Sequence, residues 1–371
     1  MNATEALIYL VSCAVNGKTP EPARLADLDL EALYRAAERH MLSAITAMAL
    51  ESAGIKNEAF TQAKGKAIRK NAALDEARGE LAQRLEAAGI WYMPLKGAVL
   101  KDLYPRFGMR QMADNDILID AARAGDVREI MESLGYSTEH FGEADHDIYH
   151  KPPIYNFEIH TALFYKHHFA SLYTYYREID KRLLPDGPGL YARHFSDEDF
   201  YLYLLAHEYK HYQNGGTGLR SLLDAYVYLR AKPKLDLAYV RAEAEKLGVA
   251  EFEERQRRTA MALFSGRTLG EEEREMASYM ASSGVYGLRD RAFENHVHRE
   301  LDSLGGGRSG RLKYIWRRLF LPADVIRGAY PFYDRHPWLI PALWIWRPIR
   351  TVLFRLKSLG RELRVLRKLK D

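Results

Sequence analysis

Residues 91–120 read Trp91-YMPLKGAVLKDLYPRFGMRQMADNDILI-Asp120, a short apolar run, a Lys-Gly pair opening a helix, and an Arg ahead of two carboxylates spaced Asp-x-Asp. Side chains on a strand alternate faces. A strand over Asp114–Ile119 therefore puts Asp114 and Asp116 on one side and Asn115 and Ile117 on the other. Two carboxylates held side by side repel each other and call for a cation, most simply a hard divalent metal.

Working outward, Ile90–Met93 is expected as a short strand ended by Pro94, and Lys96–Tyr104 as a short helix broken by Pro105 and Gly108. Ala121–Leu134 has helical periodicity and stops at Gly135. A polar, His-rich connection follows, HFGEADHDIYHKPP over 140–153, containing His140, His146, His150 and Lys151. Either a solvated loop or an acceptor pocket suits it. Ile154–Leu163, IYNFEIHTAL, alternates as a strand and carries Glu158 and His160 with the same period-two spacing. If the two strands are neighbours, Glu158 faces the aspartates across the sheet. Lys96 and Arg110 then flank three carboxylates and are suited to phosphate oxygens, Arg as a fork and Lys as a point charge.

The rest of the chain is helical. Residues 4–88 show apolar positions three and four apart, and seven further helices are expected between 168 and 303. The fold class expected is α+β, a small mixed sheet flanked by N-terminal and C-terminal helical regions. The division expected is 1–70 helical, 71–165 α/β core, 166–304 helical and 305–371 a tail. The tail opens with the linker GGGRSG over 305–310.

Leu-Lys-Gly, then Tyr, Arg, an Asp-x-Asp strand and a later acidic-x-His strand resemble the uncharacterised bacterial nucleotidyltransferase family with a polymerase-beta-like fold. The resemblance runs from about 71 to 229. It implies a small mixed sheet on which Asp114, Asp116 and Glu158 are catalytic and bind two Mg²⁺ ions, or Mn²⁺. It implies transfer of a nucleoside monophosphate from a nucleoside triphosphate such as ATP to an acceptor that the sequence does not name. Leu95-Lys96-Gly97 stands where the wider superfamily carries Gly-Ser, so Lys96, Gly97 and Arg110 are the nucleotide-binding candidates. His160, His207, His211, Arg220 and Asp224 are candidates for the substrate cleft.

Two alternatives compete. His207-Glu208-Tyr209-Lys210-His211 satisfies H-E-x-x-H, the zinc hydrolase pattern. Against it, Asn214 and Thr217 stand where the extended metzincin pattern needs Gly and His. A non-catalytic binding protein that keeps the fold is the second alternative.

The net charge of +4 hides an asymmetry. From Arg308 onward there are 16 Lys/Arg against 4 Asp/Glu, net +12, which leaves −8 for residues 1–307. Trp316, Trp338, Trp344 and Trp346 interleave with these cations among prolines. This pattern suits peripheral contact with an anionic membrane, against a packed helix with a solvated basic face. No motif for specific nucleic-acid binding is present. The single cysteine, Cys13, excludes an internal disulfide and a Cys-rich metal site. The Ala6–Val15 apolar run lacks preceding Lys or Arg and reads as a first helix, not a signal peptide. The expected location is the cytoplasm.

Overall fold

The computed structural model describes residues 1–138, 141–142, 146–153, 155–164, 170–285 and 287, and scattered residues from there to Trp346. The chain forms two compact units: Met1–Tyr212 with Gly216–Gly287, and Gln213–Gly215 with Leu288–Asp371.

In the first unit, four helices lead in: α1 (Ala3–Val15), α2 (Leu30–Arg39), α3 (Ser43–Ser52) and α4 (Glu58–Ala87). Local chemistry starts them. Asn2 and Glu5 form a reciprocal capping box on α1, and Asp29 and Asn57 accept from the first amides of α2 and α4. The 30-residue α4 is rich in Ala, Lys and Glu, strong helix formers, and ends before Gly89 at φ 64°.

Next come β1 (Tyr92–Pro94), α5 (Gly97–Leu100), β2 (Asn115–Ile119), α6 (Ala124–Ser133), β3 (Ser137–Thr138), β4 (His146–Lys151) and β5 (Tyr155–His160). They form a five-stranded sheet in the order β1-β2-β5-β4-β3. β2 and β5 pair in parallel, with Asp116 opposite Glu158 and Leu118 opposite His160, and the other pairings are antiparallel. The neighbouring of these two strands, on which the convergence of Glu158 depends, is therefore present. The His-rich segment read as a connection contains a strand, β4. Its alternation is disguised, because Asp147 and Tyr149 face inward while Ile148 is exposed.

The sheet separates two packed regions. Ile117, Ile119, Phe157 and Ile159 join Leu81 and Leu85 of α4 and Val127 and Met131 of α6 in one apolar cluster. Leu118, of opposite parity, belongs to the larger cluster with the helices. Asp116, Glu158 and His160 share the parity of Leu118. They consequently face the helical side.

That side is built by α7 (Ala170–Tyr176), a two-stranded ribbon of β6 (Leu184–Pro185) and β7 (Arg193–His194), and five helices. These are α8 (Asp197–Gln213), α9 (Leu219–Ala231), α10 (Leu237–Leu247), α11 (Ala250–Ser265) and α12 (Glu271–Ser283). The architecture is α+β, with a small mixed sheet between helical regions. The expected helix at 287–303 and the 305–310 linker fall largely outside the described residues. In the second unit, Val297, Leu301 and Tyr314 form a small buried cluster. No helix among the described residues is long and apolar enough to cross a membrane.

Candidate active site

β2 and β5 present the site's centre. Asp116 is buried, and its Oδ1 accepts from Lys96 Nζ at 2.6 Å and from His160 Nε2 at 3.0 Å. Glu158 Oε2 lies 3.7 Å from each of those same nitrogens. Burial pushes the Asp116 carboxyl up, but the Lys96 ammonium and the His160 hydrogen bond outweigh it and hold it well below the usual range. Lys96 shows the reciprocal balance. Burial lowers its pKa, and Asp116, Tyr203 and Glu158 raise it above the ordinary lysine value.

Asp114 immediately precedes β2 instead of lying within it. Burial and the charges of Asp116 and Glu158 push its carboxyl up to about 6. Asp116, Glu158 and His160 each offer a ligand atom, and these atoms lie within 4.8 Å of one another. This is the one such group of three among the described residues, and Asp114 stands beside it. Ligands about 2.1 Å from one ion stand roughly 3–4 Å apart, so a divalent cation fits after small side-chain adjustments. The His160 nitrogen nearest both carboxylates is Nε2, and it could ligate only as the tautomer protonated on Nδ1, which is buried without a hydrogen-bond partner. A nitrogen in the donor set admits Mn²⁺ as well as Mg²⁺.

α8 closes over this face. Its His207 and His211 have Nε2 atoms 3.2 Å apart, so one ring donates to the other. Burial lowers both pKa values, His207 well below its usual value and His211 to about 4, with Lys96 and Lys210 among the cations that reinforce the shift. Both rings are neutral at pH 7. Glu208, between them, lines a separate cavity of about 20 Å³ with Leu205, Ser221 and Gln256. The H-E-x-x-H pair does not belong to a group of three ligands among the described residues.

Arg110 and Asp224 form a buried ion pair. Arg110 Nε and Nη2 donate to Asp224 Oδ1 and Oδ2 at 2.8 and 2.9 Å, and the Tyr104 hydroxyl donates to Oδ1 at 2.7 Å. Arg110, expected to take phosphate oxygens, has its guanidinium engaged by Asp224 of α9. Gly97 makes room for this clasp, since a Cβ there would lie 2.4 Å from Arg110 Nη1 and 2.7 Å from Met112 sulfur. Arg220, on α9, is partly buried, burial lowers its pKa, and the charges acting on it include Arg110, Asp224 and Glu208.

Three supporting residues escape a reading of the sequence. Asn115 donates to Leu74 O at 2.8 Å and accepts from Arg78 at 3.1 Å. Asn71 donates to Arg110 O at 2.9 Å. These bonds fix the approach to β2 against α4. The available signal was an Asn inside an apolar strand, because a buried amide needs partners.

The fold and site define an α+β protein with a carboxylate–histidine centre at paired parallel strands. Residues 26–265 of the 371 match the family described as "Uncharacterised nucleotidyltransferase", and the chain belongs to that family. A crystal structure of an antigenic nucleotidyltransferase-like protein from Paracoccidioides brasiliensis is similar over 51% of this chain and 91% of that one. It is 17% identical, with a TM-score of 0.31. None of the curated proteins matches.

Proposed function

We propose that the chain is a metal-dependent nucleotidyltransferase that transfers a nucleoside monophosphate from a nucleoside triphosphate to an acceptor, releasing pyrophosphate. The observation that carries this reading is the register of β2 and β5, which sets Asp116 opposite Glu158 with His160 beside them. Asp116 and Glu158, with the adjacent Asp114, would hold Mg²⁺ or Mn²⁺. Bound there, the cation supplies charge neutralisation at the phosphate and a lower pKa at the acceptor hydroxyl.

The chain's own groups do the remaining work. Lys96 supplies the positive charge for the triphosphate, being at the centre and partly accessible, with 19% of its side chain exposed. His160 orients Asp116 through its hydrogen bond. Neutral His207 and His211 offer uncharged hydrogen-bonding groups to the substrate. Arg110 and Asp224 position the stretch between α5 and β2 through their clasp, with Gly97 leaving room for it.

A thermal-shift panel of ATP, GTP, CTP and UTP with and without Mg²⁺ tests the proposal. Stabilisation by at least one triphosphate, dependent on Mg²⁺ and lost in Asp116→Asn, is expected. No Mg²⁺-dependent shift with any of the four would overturn it.

For the second unit, we propose contact with an anionic membrane. Trp316 and Trp338 are 64% and 73% exposed in the basic segment, which supports this reading. Equal co-sedimentation with anionic and neutral vesicles would count against it.

A further inference from the structure

Lys96 has an unusual backbone, φ 45° and ψ −116°. Among the described residues, only Met41 is another non-glycine with positive φ. A side chain there is disfavoured by crowding with its own backbone, so the surroundings must impose the conformation. They do so on both sides. Leu95 N donates to Asp116 O at 2.9 Å, and Leu100 N donates to Lys96 O at 3.0 Å. The strained residue is thereby pinned next to Asp116, with its ammonium 2.6 Å from Asp116 Oδ1 and 3.7 Å from Glu158 Oε2.

Those two carboxylates are also the oxygen donors of the candidate metal group. An ammonium in contact with Asp116 Oδ1 uses electron density that a divalent ion would need, and a trivalent total of positive charge in so small a space is repulsive. We infer that the Lys96 ammonium and a divalent cation are alternative occupants of the Asp116 and Glu158 carboxylates, so that metal entry displaces Lys96 towards the incoming phosphates. The inference rests on the metal-site reading above.

Its functional consequence is coupling. A triphosphate that accepts the displaced ammonium favours the metal-bound arrangement, and by linkage the metal favours triphosphate binding to the same degree. Without nucleotide, Lys96 keeps the carboxylates neutralised and the metal weakly held.

Titration of Mn²⁺ into the full chain by calorimetry, without nucleotide, tests this in wild type and Lys96→Met. If the ammonium occupies the carboxylates nine-tenths of the time, the variant binds Mn²⁺ about tenfold more tightly. Equal or weaker binding by the variant would overturn the competition while leaving the metal site standing. Absence of Mn²⁺ binding in both proteins would overturn the metal site itself, and the inference with it. A second measurement uses wild type alone, reading acylation of Lys96 by peptide mass. Mn²⁺ is expected to raise labelling severalfold, because the expelled amine leaves its ion pair. Unchanged labelling would assign any gain in affinity to lost charge alone and so overturn displacement.

Discussion

Arg110 and Asp224 are joined by two parallel hydrogen bonds although 114 residues separate them. Both are buried, and the Tyr104 hydroxyl shares the same carboxylate. Removing one member leaves a buried cation without its partner, which costs about 3–5 kcal/mol. Asp224→Ala should therefore lose that much stability in urea unfolding, and Asp224→Asn, which keeps an acceptor oxygen, should lose less. A loss below about 1 kcal/mol in Asp224→Ala, within the range of an exposed pair, would show that the clasp does not hold the helices to the sheet.

Gly97 gives a steric test of the same clasp. The alanine Cβ would press on a guanidinium that cannot swing away without breaking its bonds to Asp224. Gly97→Ala should destabilise by about 1–3 kcal/mol. Gly79→Ala is the control, because a Cβ at this position in α4 meets nothing within 4 Å. It should stabilise by about 0.5–1 kcal/mol through helix propensity. Similar effects of the two substitutions would contradict the crowding argument.

His40 makes stability depend on pH. Its Nδ1 accepts from Leu219 N at 3.2 Å, at the start of α9, where Gly218 has no side chain to cap the helix. Burial lowers its pKa from 6.5 to about 4. The unfolded chain therefore binds a proton at higher pH than the folded one. The stabilisation is fully present above about pH 6.5 and is lost as pH falls to about 4, amounting to about 3 kcal/mol. His40→Asn keeps an acceptor at the same branch of the side chain but does not titrate. Urea midpoints measured at pH 7 and pH 4 should fall more steeply in wild type than in this variant, and parallel slopes would remove His40 as the cause.

The centre of the site was legible because its spacing is local. Asp116, Glu158 and His160 follow from two period-two segments, and the one long-range assumption was that these strands are neighbours. β4 was hidden by composition: an inward Asp147 and an outward Ile148 invert the pattern by which strands are recognised. Asp114 lies just outside β2, a boundary that alternation alone does not fix. The partner of Arg110 was not legible, although both residues were singled out, since no local rule links charges so far apart. Gly97 has the same origin, because its Cβ space is filled by Arg110 and Met112.

The clasp also orders the birth of the protein. Synthesis proceeds at about 5–20 residues per second, so Arg110 waits roughly 6–23 s before Asp224 is added. For the last part of that interval, from His160 to Asp224, every strand of the five-stranded sheet has been made while the guanidinium that steadies the approach to β2 has no carboxylate to receive it. The nascent chain thus carries every strand of the five-stranded sheet before its anchor, and the clasp of Arg110 closes only when α9 emerges.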